Sequence, residues 1–154
     1  MSRIDARLAA LGIALPPVAA PVANYLGCKR AGSLLYVGGH GPVAGDEVVR
    51  GKVGATVSLT EARRAARMTA LSMLATVRQA LGDLDRVRQV VKVFGMVNCA
   101  PGFVKAPLVI NGFTDLIVEL YGPTRGPHAR SAVGMAELPF GIPVEIEAEV
   151  AIGA

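Results

Sequence analysis

From Val144 to Val150 apolar and acidic residues alternate without a break, and the period runs on to Ile152: Val144, Ile146, Ala148, Val150 and Ile152 fall on one side, and Glu145, Glu147 and Glu149 on the other. A period of two fits a strand with one face in a core and the other face free of it. Such a strand needs neighbours in a sheet and a layer over its apolar side. Two helical segments supply the layer. Ser58-Leu59-Thr60-Glu61 has the form of a capping box, and Ala62, Ala66, Ala70, Met73, Val77 and Leu81 follow it at the helical period until Gly82-Asp83 stops the run. A second helix is predicted from about Pro107, where proline suits the first turn, to before Gly122, with Ile110, Phe113, Ile117 and Leu120 as its apolar stripe.

Further strands are expected at Leu34–Val37, closed by a Gly38-Gly39 loop, at Val90–Val97, and from Ala129 to Leu138, with Pro139–Pro143 leading into the last strand. The order predicts an α+β domain with two helices on one face of a sheet and the other face uncovered. Arg130, Ala132, Gly134 and Ala136 share one side of their strand, which is assigned to the uncovered face as room for a second subunit or a ligand. Ahead of this, Ile4, Leu8 and Leu11 recur as one face of a short helix, and Pro16, Pro17 and Pro21 impose an extended arm. Residues 1–23 are therefore read as helix and arm, and residues 24–154 as the domain.

Hydrophobic residues make up 52% of the 154 and charged residues 18%, which excludes a disordered chain. The surplus apolar surface points to an oligomer. No apolar run reaches the roughly 20 residues that span a bilayer. Sixteen Lys and Arg against 12 Asp and Glu give a net charge of +4, but with no Trp and 5% aromatics this argues against a nucleic-acid partner. Arg3 and Arg7 ahead of an apolar stretch imitate a secretory leader; Asp5 and the helical spacing oppose that reading, and the unpaired Cys28 and Cys99 suit a reducing cytoplasm. His40 and His128 lack any metal-binding spacing, and no phosphate loop or nucleophile elbow is present. What remains is Tyr25, Asn111, Arg130 and Glu145, which by type alone fit a core tyrosine, a surface asparagine and an ion pair as readily as a site.

Taken together, Pro127-His128-Ala129-Arg130-Ser131-Ala132-Val133, Leu138-Pro139 and Val144-Glu145-Ile146-Glu147-Ala148 resemble the C-terminal signature of the RidA family, the reactive-intermediate deaminases also called YjgF-like or L-PSP proteins. The likeness runs back through Val109-Ile110-Asn111, the Ser58 helix and Leu34–Pro42 to Asn24-Tyr25. It implies a chorismate-mutase-like α+β fold, a homotrimer, and sites in the clefts between subunits. Family enzymes hydrolyse enamines and imines of the 2-iminobutanoate and 2-iminopropanoate type to 2-oxo acids and ammonia, with neither metal nor organic cofactor. Carried over by motif, Arg130 would grip a small substrate's carboxylate and Glu145 would position or activate water. Tyr25, Gly39, Asn111 and the backbone of Ala132 would line the cleft. Two positions depart from the family: Ala132 stands where many members have cysteine, and His40, read as a loop residue, stands in place of glutamine. The resemblance also admits a ligand-binding trimer without catalysis, or an endoribonuclease acting as a translation inhibitor. Glu145, Glu147 and Glu149 would repel RNA phosphates, which disfavours the last.

Overall fold

The computed structural model describes residues 2–153. Helix α1 (Arg3–Ala10) is followed by strands β1 (Cys28–Ala31) and β2 (Leu34–His40), and by a small hairpin of β3 (Val43–Ala44) and β4 (Glu47–Val48). Helix α2 (Leu59–Leu81), β5 (Val87–Asn98), α3 (Ala106–Arg125), β6 (Ala129–Met135) and β7 (Val144–Ile152) complete the chain. The main sheet has the order β1-β2-β7-β5-β6, antiparallel except for the parallel β5–β6 pair at one edge. This is the α+β architecture the sequence predicts.

Local chemistry sets the helix limits. Both halves of the expected capping box form: Glu61 N–H donates to Ser58 Oγ at 3.2 Å, and Ser58 N–H to Glu61 Oε2 at 2.8 Å. Gly82 closes α2 with φ of 77°, a conformation that suits only glycine at low cost. In α3 the helical dihedrals break at Gly122, where the sequence places the end, and one further turn runs on to Arg125. Every residue of the two predicted apolar stripes is buried. The helices cross closely because Gly112 has no side chain; a Cβ there would strike the carbonyl of Arg63.

In β7, Val144, Ile146, Ala148, Val150 and Ile152 are all buried against the helices, as the alternation requires. The core extends further towards the N-terminus than the expected start of the domain at Asn24. Ile4 and Leu8 are buried in the same cluster, and Asp85 accepts hydrogen bonds from Arg3 N–H (2.7 Å) and Ile4 N–H (3.3 Å) at the start of α1. The short helix expected ahead of the domain thus forms and packs on the same core as the other two. No helix among the described residues is long and apolar enough to cross a membrane.

One expectation is overturned. Arg130, Ala132 and Gly134 lie on the helix side of the sheet, not on its open face. In the parallel register they pair with Val93, Gly95 and Val97, the β5 residues that face the core. Ala132 packs on that core, and the side chain of Arg130 reaches α3. The open face instead carries the glutamates of β7, with Lys92, Phe94 and Tyr36 around Glu147 and Glu149.

Candidate functional site

Arg130 sits on the edge strand β6, where its guanidinium meets the first turns of α3. Nη1 donates to Asn111 Oδ1 at 2.9 Å and to Thr114 Oγ1 at 3.0 Å, and Nη2 to the carbonyl of Pro107 at 3.3 Å. All three acceptors are neutral. The ion pairs among the described residues do not include Arg130, so its charge is held in place but not neutralised. Asn111 is therefore part of a cluster rather than surface decoration. His128, two residues ahead of Arg130, extends it: its Nε2 lies 3.2 Å from Thr114 Oγ1 and its Nδ1 2.8 Å from the carbonyl of Gly126. Burial pushes the His128 pKa below the ordinary imidazole value; the bond to Gly126 opposes this and the Arg130 charge adds to it.

A second cluster gathers around Glu145 on β7. Gly39 leaves space for its carboxylate, because a Cβ there would lie on top of it. Burial raises the Glu145 pKa, and the neighbouring Glu147 raises it further. Tyr25, expected in the core by one reading, is 53% exposed at the rim of a groove of about 770 Å³ that Gly39, His40 and Glu145 also line. The extended arm forms one wall through Val18–Val22, and Thr76 of α2 lies opposite. Phe140 stands exposed at the mouth with φ of 60°, a conformation rare for a side chain of that size.

His40 is the last residue of β2 and not a free loop residue. Its Nδ1 lies 2.8 Å from the carbonyl of Gly38 and its Nε2 2.8 Å from Thr76 Oγ1. Since a carbonyl only accepts, Nδ1 carries the proton and the neutral ring accepts from Thr76. Burial lowers the His40 pKa, partly offset by the Gly38 bond. This ring ties sheet to helix at the groove floor.

Within one chain the predicted site residues thus form two groups. Arg130 and Asn111, with Ala132 beside them, lie under α3 on the helix side of the β6 edge; Tyr25, Gly39 and Glu145 line a groove by β2 and the central strand β7, which β5 separates from β6. Sequence reasoning missed Thr114, although Asn111 and Thr114 are three residues apart and so share a helical face. It also missed the contact of His128, which precedes β6 by one residue and falls on the Arg130 side by the period of two.

Comparison with known proteins supplies the family. Residues 5–142 match the model described as "YjgF/chorismate mutase-like, putative endoribonuclease". The chain belongs to the YjgF family. Protein TCP17 of Trypanosoma cruzi is 45% identical over 151 residues, covering 96% of this chain and 93% of its relative. A crystal structure of the Agrobacterium tumefaciens protein Atu1372, described as of unknown function, is 45% identical with a TM-score of 0.91, over 98% of this chain and 93% of that one. A Shewanella oneidensis structure bearing the same endoribonuclease description is 28% identical with a TM-score of 0.92, over 97% and 99%. The match from residue 5 takes α1 and the arm into the YjgF-like region, which the sequence resemblance had begun at Asn24.

Proposed function

We propose that this YjgF-family protein hydrolyses 2-imino acids to 2-oxo acids and ammonia, at sites that two subunits of a homotrimer complete between them. The observation that carries this reading is the state of the two charges. Arg130 is fixed by three neutral acceptors, and Glu145 is partly buried and, like Arg130, absent from the ion pairs among the described residues. An uncompensated guanidinium at an exposed edge is suited to a paired, charge-assisted contact with a substrate carboxylate. A carboxylate whose pKa is raised is a better proton acceptor than an ordinary one, and suits the activation of water.

The chemistry follows from those parts. Water, relieved of a proton by Glu145, adds to the electrophilic C=N carbon while Arg130 holds the carboxylate. The proton passes to nitrogen to give the tetrahedral carbinolamine; its hydroxyl then yields the second proton to the same nitrogen through Glu145, the C–N bond breaks, and ammonia leaves the new carbonyl. Atoms balance as imine plus water giving 2-oxo acid plus ammonia, and no covalent enzyme intermediate is required. Since Arg130 and Glu145 lie on different sides of the sheet, one chain cannot present both to one small substrate. Apposition of the β6 edge of one subunit to the Glu145 groove of the next would do so, and would cover apolar surface such as Leu26, 67% exposed, and Phe140, 66% exposed.

The direct test generates imines from amino acids with an amino-acid oxidase and follows their trapping by semicarbazide. Catalysed hydrolysis lowers semicarbazone yield; a yield unchanged by the protein across a panel of side chains overturns the proposal. The same preparation is incubated with a defined RNA, where cleavage that Glu145→Gln abolishes would favour the endoribonuclease reading instead.

A further inference from the structure

We propose that Thr114 and His128 are positioning residues for Arg130, forming a one-directional hydrogen-bond relay that aims its guanidinium. The inference rests on the reading of Arg130 as the carboxylate anchor, and it adds two residues that the family resemblance does not assign.

The direction of the relay follows from donor and acceptor types. The carbonyl of Gly126 can only accept, so His128 Nδ1, 2.8 Å away, carries a proton. In the neutral imidazole Nε2 is then an acceptor, and the Thr114 hydroxyl, 3.2 Å away, donates to it. With its proton committed there, Thr114 Oγ1 presents lone pairs to Arg130 Nη1 at 3.0 Å. The order is Arg130 to Thr114 to His128 to the Gly126 carbonyl, and each member has one sense. Asn111 and Pro107 fix the guanidinium from the same helix, so its plane is set by α3 at three points. The far end is rigid as well. The His128 ring stands nearly perpendicular to Phe113 of α3, with centroids 6.4 Å apart and planes at 79°.

A neutral His128 is needed for this order. A protonated ring donates from both nitrogens, so Thr114 Oγ1 would face an N–H from His128 and another from Arg130, and two like charges would share one hydroxyl. The groups facing His128 are Thr114 and Phe113 from α3 and Arg130 from β6, the strand that His128 leads into. The ion pairs among the described residues include no carboxylate that would hold the proton on. Burial acts in the same sense, lowering the His128 pKa.

Two substitutions break the relay without touching Arg130: Thr114→Val removes the hydroxyl at nearly constant volume, and His128→Phe removes the acceptor behind it. Each is expected to lower kcat/KM for an imino acid by about ten-fold, mainly through KM, because a misaimed anchor weakens the carboxylate contact. Thr114→Ser, which keeps the hydroxyl, should restore most of the loss. His128→Gln, whose amide oxygen can accept but does not titrate in this range, should recover activity over His128→Phe and remove the imidazole's share of the parent's fall in kcat/KM on the acid side, leaving the share that belongs to Glu145. Reaction of Arg130 with phenylglyoxal, mapped by mass spectrometry, gives an activity-independent readout and should be faster in Thr114→Val and His128→Phe. Parent-like KM and parent-like modification of Arg130 in Thr114→Val, with the assembly intact, would overturn the relay. Should the parent hydrolyse no imine, the deaminase reading falls by itself. Faster modification in both variants would then still uphold the relay, and an unchanged rate would overturn it.

Discussion

Arg130 and Glu145 leave the sheet on opposite faces. Arg130 follows Val93 and Ile146 onto the side covered by helices, where it bonds Asn111; Glu145 alternates with Val144 and Ile146 and points away from them. Each charge is prepared and neither is spent. That relationship is what supports the proposed site shared between chains, from which the following expectations derive.

Arg130→Ala should reduce imine hydrolysis by about ten-fold to a hundred-fold, the range expected for one lost charge-assisted contact in the transition state. Arg130→Lys should recover only part of this, since a point charge cannot bond Asn111, Thr114 and a carboxylate together as a planar fork does. Both variants should melt within a few degrees of the parent, because the stranded acceptors lie at a partly exposed edge where water can replace the guanidinium. Activity measured alongside thermal melting checks this. Melting points that collapse with the activity would make Arg130 a structural residue.

Gly39→Ala tests the placement of the carboxylate. The backbone at Gly39 is not in the left-handed region, so alanine is tolerated there, but its Cβ would lie 2.9 Å from Glu145 Cδ. The flexible end of Glu145 must swing aside. Turnover should fall while binding of a 2-oxo acid product, which depends on Arg130, stays near the parent value by calorimetry. Unchanged turnover would mean that the position of Glu145 is immaterial to the chemistry.

Glu145→Gln should show a pH-dependent effect on stability. The raised pKa means that the folded protein takes up this proton more readily than the unfolded chain does, so the carboxyl's contribution is fully present below its unfolded pKa and is lost as pH rises through the folded value. Glutamine mimics the protonated form. Glu145→Gln should therefore melt above the parent at neutral pH, with the difference vanishing towards pH ~4. Melting curves across that interval decide the matter, and a lower melting point at neutral pH would show the carboxylate to be stabilising instead.

Much of the fold was legible in the sequence because its strongest signals are local. The capping box at Ser58, the stripe of α3 and the alternation of β7 each declare their element within a few residues. The strand β1 escaped notice because Cys28–Ala31 is short and mostly polar, and is held in place by β2, its neighbour across a tight turn. The hairpin β3–β4 has only two residues in each strand. The side to which Arg130 points was misassigned for a different reason. On β6 neither face is a run of large apolar residues, so period two gives the alternation but not which face meets the helices; that depends on the parallel register with β5, a non-local fact. For the same reason His40 looked like a loop residue until Thr76, thirty-six positions away, came within hydrogen-bond reach.

The central claim, that Arg130 of one subunit and Glu145 of another act on one substrate, is tested most directly by mixing two impaired variants. Arg130→Ala and Glu145→Gln chains are co-expressed, or unfolded and refolded together, in equal amounts. In a cyclic trimer with three shared sites, every mixed trimer contains one site with both residues intact, and random assembly should restore about one quarter of the parent's imine hydrolysis. Activity no higher than the mean of the two separate variants, in trimers shown by mass spectrometry to be mixed, would contradict the account.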